Sequence, residues 1–387
     1  MTLCNWKSAV LADHCEIFSG YAFPSAGFTD DETDVHLVKG ENIGQGEVLW
    51  DISKRWPKAQ FADLHRFQLV TGDVVLAMDR PWVPAGLKFA QIGLDAPEAL
   101  VVQRVARLRA RQGMAPDFLP CLIASADFES YIQNAVRGVT VPHISANEIG
   151  AFSFLLPPIQ VQYGIGQLRR DFDDLIANNR RRIQLLEDSV RLLFDEWFVR
   201  LNSSGHASAA TGPGLPAGWS KLPLEEVLVL QRGFDLPSQD REAGEVPIYG
   251  STGIVGFHNK AKVAGPGIVT GRSGTLGEVH FIRGDFWPLN TALWVKEFRR
   301  VTPLFALHLL RGMNLRQYNG GVSVPTLDRK VVHRAEVLLP PERPMQAFEA
   351  IASDVRQQID TLNRMNDKLR TARDLLLPRL MSGELTV

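Results

Sequence analysis

The residues GVTVPHI (138–144) recur almost unchanged as GVSVPTL (321–327), 183 positions further along the chain. The match continues downstream at the same offset and without a gap, so that LLPP (155–158) recurs as LLPP (338–341). The units of solenoid proteins span only about 20 to 50 residues. A repeat of this length therefore predicts two copies of one domain.

Upstream of this phrase the two copies align at a larger offset of 213 positions. There GYAFP (20–24) matches GFDLP (233–237), and Trp6 matches Trp219. The change of offset means that the first copy has 30 extra residues somewhere between positions 24 and 138.

Each copy consists of two parts with different patterns. The first part is rich in glycine, proline and β-branched residues, as in DVVLAMDRPWVPAG (73–86) and PGIVTGRSGTLGEVHFI (266–282). Short apolar runs bounded by such residues are typical of strands and turns. The second part follows a Pro-Pro pair, and its apolar residues recur about every 3.6 positions, which predicts a long amphipathic helix.

The apolar stripe of each predicted helix is unusually long. Surface helices usually span about 8 to 20 residues, so a stripe over residues 160–199 needs a partner, and the other copy supplies one. Ile351 belongs to the second stripe, and Asn179 and Asn366 either set the register or are merely tolerated near the stripe edge. The residues predicted for the helix pair and partner surface are Phe172, Ile176, Asn179, Leu186, Leu193, Trp197, Val355, Ile359, Leu362, Asn366, Leu369 and Leu376.

The two helices are predicted to run antiparallel. A helix over residues 160–199 is about 60 Å long, and the small, polar linker NSSGHASAATGPGLPA (202–217) leads from its end into the second copy. A parallel pair would force the linker to travel back along the whole helix. The expected molecule is a rod with one domain near each end.

The predicted fold class is α+β, with two duplicated α/β domains separated by two long antiparallel coiled-coil helices in a pseudo-two-fold arrangement. The predicted boundaries are 1–158 for the first domain, 159–201 for the first helix, 202–217 for the linker, 218–341 for the second domain, and 342–387 for the second helix and C-terminal tail.

The composition is that of a soluble globular protein, with 45% hydrophobic and 22% charged residues. Asp13 and Glu16 interrupt the apolar run that a signal peptide needs, and no stretch approaches the roughly 20 apolar residues of a membrane-spanning helix. Cys4, Cys15 and Cys121 lack the spacing of a metal site or a disulfide framework. A cytoplasmic protein without membrane association is expected.

The charge is distributed unevenly between the two copies. Residues 218–340 contain 15 Lys and Arg against 11 Asp and Glu, whereas residues 1–158 contain 13 against 18. The basic second domain favours a polyanion as its partner. In the first domain, the cluster Arg104, Arg107, Arg109 and Arg111 is either a local basic face or the solvated face of a helix.

The sequence lacks the motifs of several enzyme classes. GPGIVTGRS (265–273) departs from a phosphate-binding loop at Pro266 and Arg272, where that loop needs glycine and lysine. H-E-x-x-H, C-x-x-C and G-x-S-x-G are absent, and so is the Asp/Asn-Pro-Pro-aromatic tetrapeptide of amino-methyltransferases. These absences favour a binding protein over an enzyme.

The chain resembles the specificity subunits of type I restriction–modification systems. LFDEWF (193–198) and NRMNDKLRTARDLLLPRLMSGEL (363–385) are similar to that family's helices. GDVVLAMDR (72–80), GRSGTLGEV (271–279) and the two G-V-[TS]-V-P phrases are similar to its target-recognition domains. The resemblance covers essentially the whole chain, in the order recognition domain, helix, recognition domain, helix.

The resemblance implies a non-catalytic subunit that binds a bipartite, asymmetric site in double-stranded DNA. Each recognition domain would contact one half-site, and the helices would act as a spacer and docking platform. The implied partners are two methyltransferase subunits, which methylate adenine, and two motor-nuclease subunits. S-adenosylmethionine, ATP and Mg²⁺ would be bound by those partners and not by this chain.

The candidate DNA contacts are arginines and residues of turn-rich segments. Arg272 lies among small residues that allow a close approach to DNA, and Arg80 is its nearest counterpart in the first domain. Arginine pairs with guanine and also contacts phosphate, while a structural salt bridge is the alternative for both. The further candidates are Ser273, Arg232, Tyr249, Ser251, Tyr318, Asn319 and Tyr21.

Other functions stay open on the sequence alone. The chain could be the specificity subunit of a combined methyltransferase–nuclease system, which is built on the same duplicated plan. A structural scaffold whose duplicated domains bind proteins is an alternative of another class, and a free-standing methyltransferase is the enzyme alternative.

Overall fold

The computed structural model describes residues 6–136, 142–201, 215–321 and 323–386. Most of the predicted linker (202–217) lies outside the described residues, as do residues 138–141 of the first repeated phrase. The chain divides into two compact units, residues 1–178 with 365–387, and residues 179–364. Each unit contains one of the duplicated domains and a part of each long helix.

The first domain consists of short strands and short helices, followed by the first long helix. Its strands are β1 (Lys7–Val10), β2 (Cys15–Ser19), β3 (Val35–Val38), β4 (Gln45–Gly46), β5 (Arg55–Trp56), β6 (Val74–Ala77), β7 (Trp82–Val83), β8 (Gly86–Leu87), β9 (Phe89–Gln91), β10 (Ala99–Val101), β11 (Val105–Ala110) and β12 (Ser153–Leu156). Its helices are α1 (Leu11–His14), α2 (Leu119–Ile123), α3 (Ala126–Ala135), α4 (Ala146–Gly150) and α5 (Ile159–Phe194). A π-helical turn over Asp195–Val199 extends α5.

The second domain contains a similar set of elements. Its strands are β13 (Ser220–Pro223), β14 (Leu228–Arg232), β15 (Val246–Gly250), β16 (Gly253–His258), β17 (Gly267–Gly271), β18 (Val279–Ile282), β19 (Trp287–Pro288), β20 (Ala292–Phe298) and β21 (Glu336–Leu339). Its helices are α6 (Leu224–Val227), α7 (Pro303–Gly312), α8 (Arg329–Arg334) and α9 (Glu342–Met381), the second long helix.

The two domains have the same sheet topology. The main sheet has the order β2-β11-β6-β9-β4 in the first domain and β14-β20-β17-β18 in the second. A three-stranded sheet follows the same pattern, with β10-β3-β5 in one domain and β19-β15-β16 in the other, and β1 pairs with β12 as β13 pairs with β21. The predicted duplication is confirmed, and β4 and the β7–β8 hairpin belong to the insertions of the first copy.

The strand β6 shows why the main sheet sits at the centre of the first domain. Val74 and Leu76 belong to a buried cluster with Phe118 and Phe128, on the side of the short helices. Val75 and Ala77 belong to a second cluster with residues of the three-stranded sheet. Because both faces are covered, the strand is apolar at every position instead of alternating.

The aligned phrases at 20–24 and 233–237 occupy equivalent places in the two folds. A Cβ atom on Gly20 would lie 2.4 Å from the carbonyl oxygen of Val101, and one on Gly233 would lie 2.2 Å from that of Leu289. Only glycine allows the chain to approach a neighbouring strand so closely. The offset of 213 positions that aligned these phrases is therefore also the structural offset.

The two long helices run antiparallel where they meet within the first unit. Ile165 and Leu380 belong to the same buried cluster. Two turns further along α5, the Asp173 carboxylate accepts a hydrogen bond of 2.7 Å from Arg373, which precedes Leu380 in α9. The two helices therefore run in opposite directions here, as predicted.

Each residue predicted for the helix pair is buried or half-buried, and Asn366 is only 2% exposed. The prediction for Ile351 is wrong, because this side chain is 42% exposed and the neighbouring Ala352 takes the buried position. The role of these residues as a partner surface, and the role of the asparagines in setting the register, stay predictions.

The arginine cluster of the first domain does not lie on a helix, so that form of the prediction is wrong, and of its four members only Arg104 and Arg111 are exposed. Arg107 and Arg109 lie on the strand β11 and not on a helix. Arg107 is buried, and its Nη2 lies 2.6 Å from Glu16, while Arg109 contacts the fully buried Asp73. Buried charges need such partners. Arg107 is therefore withdrawn from the surface, and Arg109 neutralises a buried carboxylate while its own side chain is partly exposed.

The part of α9 in the second unit packs into an aromatic cluster. Phe348 is fully buried, and its ring lies 5.5 Å from those of Phe194 and Phe198 and 5.6 Å from that of His308. Burial, with smaller contributions from Arg311 and Arg191, lowers the pKa of His308 to about 4.

We expect the stability of the protein to fall as the pH decreases from 6.5 towards 4. The unfolded chain binds a proton at His308 below its ordinary pKa of 6.5, whereas the folded protein keeps this ring neutral. The loss from this group approaches about 1.4 kcal/mol per pH unit in that window. Urea unfolding of wild type and His308→Phe at pH 7 and pH 5 measures it, and an equal pH dependence of the two proteins would contradict the assignment.

No helix within the described parts of the chain is both long enough and apolar enough to cross a membrane.

Candidate nucleic-acid interface

One end of the main sheet carries most of the predicted contact residues. In the first domain, Ser19, Ala77 and Val105 lie at this end, because β11 is antiparallel to both β2 and β6. In the second domain, Arg232 and Gly271 lie at the corresponding end beside the first residues of β20. The loops that leave the sheet here form the candidate interface.

Pro142 and Pro325, which belong to the repeated phrases, lie at this end of each sheet. In the second domain, the amide of Gly274 donates to the carbonyl of Pro325 at 2.9 Å, and the amide of Leu327 donates to that of Arg272 at 2.8 Å. Ser273 therefore faces Thr326 across a short bridge. These contacts assign the prolines to the fold and hold Arg272 and Ser273 in place.

A chain of contacts brings Arg272 and Arg232 together, although 40 positions separate them in the sequence. The guanidinium of Arg272 donates to the carbonyl of Asn290 at 3.3 Å. The side-chain amide of Asn290 donates to Asp235, and the Arg232 guanidinium lies 3.8 Å from the same carboxylate. Arg232 is exposed and Arg272 is half-exposed, so both cations are accessible at this end of the sheet.

Ser251 and Asn319 lie next to the Arg272 loop. The Ser251 hydroxyl is 3.8 Å from the position that a Cβ atom on Gly274 would take. The side-chain oxygen of Asn319 accepts hydrogen bonds from the amides of Gly321 and Thr326, at 3.0 and 2.8 Å. The side-chain oxygen of Asn319 therefore stabilises the loop, and its side-chain NH₂ group is the part that is left to contact a base.

Tyr249 and Tyr318 are half-buried and pack against other residues of the second domain. Tyr249 packs at 6.2 Å from Phe286, and burial raises the pKa of its hydroxyl. Tyr318 packs against the core of the second domain. Both side chains are half-buried, and their role as DNA contacts stays a prediction.

In the first domain, Tyr21 and Arg80 lie at the same end of the sheet. Tyr21 is 44% exposed and rests on Phe23 and Phe67, with ring distances of 4.9 and 5.1 Å. The carbonyl of Tyr21 accepts a hydrogen bond of 2.8 Å from the amide of Gln103. The amide of Arg80 donates to Pro142 at 2.7 Å, and its side chain is exposed.

Arg80 is not the structural counterpart of Arg272. The amide of Arg80 binds Pro142 just as the amide of Gly274 binds Pro325, and Ile144 binds Met78 just as Leu327 binds Arg272. Met78 is therefore the residue equivalent to Arg272, and Arg80 is equivalent to Gly274. The sequence could not reveal this because the offset between the copies changes within the insertions, whose positions the sequence does not fix.

The backbone of Arg80 explains the glycine in the other copy. The φ angle is 45° at Arg80 and 90° at Gly274, and both lie in the left-handed region. A residue with a side chain pays about 1 to 2 kcal/mol for this conformation, and glycine does not. The first domain thus retains an arginine at a position that favours glycine.

Replacing Arg80 with glycine is expected to leave the stability unchanged or to raise it by up to about 1 kcal/mol. Arg80→Val is expected to lower it, because β-branched residues rarely adopt a positive φ. Thermal unfolding of the two variants measures the difference. Equal stability of Arg80→Val and Arg80→Gly would contradict the left-handed conformation.

A charged cluster that was not predicted from the sequence lies beside Arg80. Asp79 accepts a hydrogen bond of 2.7 Å from Arg104, and Nδ1 of His143 lies 2.6 Å from its other oxygen. Partial burial opposes ionisation of Asp79, but these hydrogen bonds outweigh it and hold the pKa of the carboxyl below its usual value. The three residues come from separate segments, so no local pattern in the sequence points to the cluster.

Within the described residues, no group of three or more His, Cys, Asp or Glu side chains is placed to hold a metal ion. The expectation that cofactors bind only to partner subunits is a separate matter and stays a prediction.

Sequence comparison relates the chain to curated specificity subunits of type I restriction enzymes. It is 30% identical over 155 residues to the EcoAI specificity subunit of Escherichia coli, which covers 40% of this chain and 26% of the relative. It is 24% identical over 193 residues to the MjaVIII specificity subunit of Methanocaldococcus jannaschii, which covers 49% and 45%. The MjaIX specificity subunit of the same organism is 21% identical over 305 residues, covering 72% and 71%. No protein-family model matches the chain.

The matches span about a quarter and just under half of the length of the first two relatives, at 26% and 45%. Among solved structures, the S subunit of a type I restriction–modification system from M. genitalium has a TM-score of 0.60 at 14% identity, over 98% of this chain and 97% of that chain. At this identity the likeness concerns the fold alone. The predicted fold class and the predicted resemblance are both confirmed.

Proposed function

We propose that this chain, which resembles type I restriction enzyme specificity subunits in sequence and in fold, is the DNA sequence-specificity subunit of such a system. The observation that carries the proposal is the repeated interface. Two domains of the same topology each present accessible arginines at the same end of the main sheet. A duplicated protein with this property suits a DNA site made of two parts.

The two half-sites are proposed to differ in sequence, because the two interfaces differ in their side chains. Met78 in the first domain stands where the second has Arg272, and Arg80 stands where the second has Gly274. Base identity in the major groove is distinguished by hydrogen-bonding side chains, and arginine in particular pairs with guanine. Two domains with different donors therefore select different bases.

The low overall charge fits a subunit that shares DNA binding with other proteins. Phosphate contacts supply most of the affinity of DNA-binding proteins and are made largely by Lys and Arg. This chain has a net charge of −1. We propose that methyltransferase partners supply most phosphate contacts, while this chain contributes the base contacts that confer specificity.

The remaining roles follow from the same proposal. The chain itself is non-catalytic, and the long helices hold the two domains and offer a surface to two methyltransferase and two motor-nuclease subunits. S-adenosylmethionine, ATP and Mg²⁺ bind to those partners, and the complex acts in the cytoplasm. The burial of the stripe residues along both helices supports their role as the paired spacer.

The proposal is tested by sequencing methylated adenines in cells that express the chain with its cognate methyltransferase subunit. The expected result is one split motif with two different halves, which disappears when the gene for this chain is disrupted. Absence of any methylated motif, together with no footprint on DNA from the purified complex, would instead support the scaffold alternative.

A further inference from the structure

Each of the two candidate interfaces contains two arginines and an aspartate, but these residues occupy different positions in the two domains. The second domain has Arg232 and Arg272 on either side of Asp235 and Asn290. In the first domain, Arg80 directly follows Asp79 in the chain, and the Asp79 carboxylate contacts Arg104. Each interface thus combines two arginines with one aspartate.

The position of Arg104 can be fixed by its hydrogen bonds. The carbonyl of Arg104 accepts from the amide of Met78 at 2.8 Å, as the carbonyl of Thr291 accepts from the amide of Arg272 at 2.8 Å. Arg104 is therefore equivalent to Thr291, in the turn that precedes β11 in one domain and β20 in the other. In the second domain the arginine, Arg272, is the residue whose amide donates in this backbone pair. In the first domain the arginine, Arg104, is the residue whose carbonyl accepts.

We propose that Arg104, oriented by Asp79, is a specificity-determining residue of the first domain, which contacts a base edge as Arg272 does in the second. The proposal rests on the function proposed above and adds a residue to it. Arg104 would act from the turn before β11 and not from the loop after β6. The two domains therefore approach their half-sites with the guanidinium in different places.

Three observations favour this role over that of a surface ion pair. The Arg104 side chain is 64% exposed, so its contact with Asp79 leaves most of the guanidinium accessible. The contact is made through Nη1, and Asp79 is also fixed by His143 on its other oxygen, so the carboxylate is a rigid support. An exposed ion pair by itself contributes little to stability, at most about 1 kcal/mol.

The backbone of Arg104 provides the third observation. Its φ angle is 67°, in the left-handed region, at the third position of a turn closed by a 3.1 Å hydrogen bond between Val105 and Val102. Glycine or asparagine is usual at such a position. Residues held in unfavourable backbone conformations cluster at functional sites, where the placement of the side chain is needed. The equivalent Thr291 does not share this φ angle.

The test uses Arg104→Gly in the full chain, expressed with the cognate methyltransferase subunit, followed by sequencing of methylated adenines. Glycine is suited to a φ of 67°, so this change removes the guanidinium without straining the turn. We expect discrimination at one or two positions of a single half-site to fall by about 5- to 150-fold, while the other half-site is unchanged. Arg104→Lys is expected to lose most of the same discrimination, because lysine lacks the planar fork.

The matched control is Arg111→Ala, at the opposite end of β11, which is expected to leave the motif unaltered. Three outcomes would overturn the proposal for Arg104: an unchanged motif, equal loss at both half-sites, or the same relaxation in the control. Failure of the proposed function itself is distinct, because it appears as the absence of any split motif with the wild-type chain.

Discussion

Replacing Phe348 with alanine is expected to lower the free energy of unfolding by about 3 to 5 kcal/mol. The ring is fully buried and contacts four other rings, those of Phe194, Phe198, Phe305 and His308. Its removal takes away both the apolar area and the edge-to-face contacts of the cluster. Neighbours from two helices surround the site, so collapse onto the cavity would be incomplete.

Ile351→Ala is the matched control, one turn further along the same helix. This side chain is 42% exposed, so the change is expected to cost much less, within about 1 kcal/mol. Urea unfolding of the two variants compares them directly. Similar losses in both would mean that Ile351 is buried together with Phe348, as the periodicity alone suggested, and that Ala352 does not take its place.

Replacing Arg272 with alanine is expected to weaken recognition of one half-site by about 1 to 3 kcal/mol, if the guanidinium pairs with a guanine. The loop holds Arg272 by three backbone and side-chain hydrogen bonds, to Thr291, Leu327 and Asn290. The arginine is thus placed before DNA binds, and the loss falls on the interaction with the base. Binding of the reconstituted complex to DNA with single changes in either half measures the effect.

Arg300→Ala is the control for this experiment, because Arg300 is an exposed arginine that follows the opposite end of β20. It removes the same charge away from the candidate interface, so only a small and sequence-independent change is expected. Equal weakening at both half-sites by Arg272→Ala would indicate a folding defect. Weakening that is independent of the DNA sequence would indicate a phosphate contact.

The two long helices and the duplication could be predicted from the sequence. The stripes over the two helices extend over many turns, so isolated exceptions such as Ile351 do not obscure them. The duplication was visible because both copies retain their turn phrases and Pro-Pro pairs. Both features are set by local patterns that recur, and such patterns survive without knowledge of the tertiary fold.

The features of the interface were less accessible, for a physical reason. The segment VARLRA (105–110) alternates apolar and charged residues over only part of its length. A pattern of six residues is too short to distinguish a strand from a helix. Asp79, Arg104 and His143 meet because β6 pairs with β11 and because His143 pairs with Asp79 in an isolated bridge. The correspondence of Arg80 with Gly274 likewise depends on hydrogen bonds between distant segments.

The proposed function requires that each duplicated domain determines one half of a split DNA site. The most direct measurement replaces the second domain (218–341) with a second copy of the first (1–158) and determines the methylated motif by sequencing. We expect a split motif in which the first half-site occurs twice and the second half-site is lost. A motif that keeps the original second half-site would contradict it.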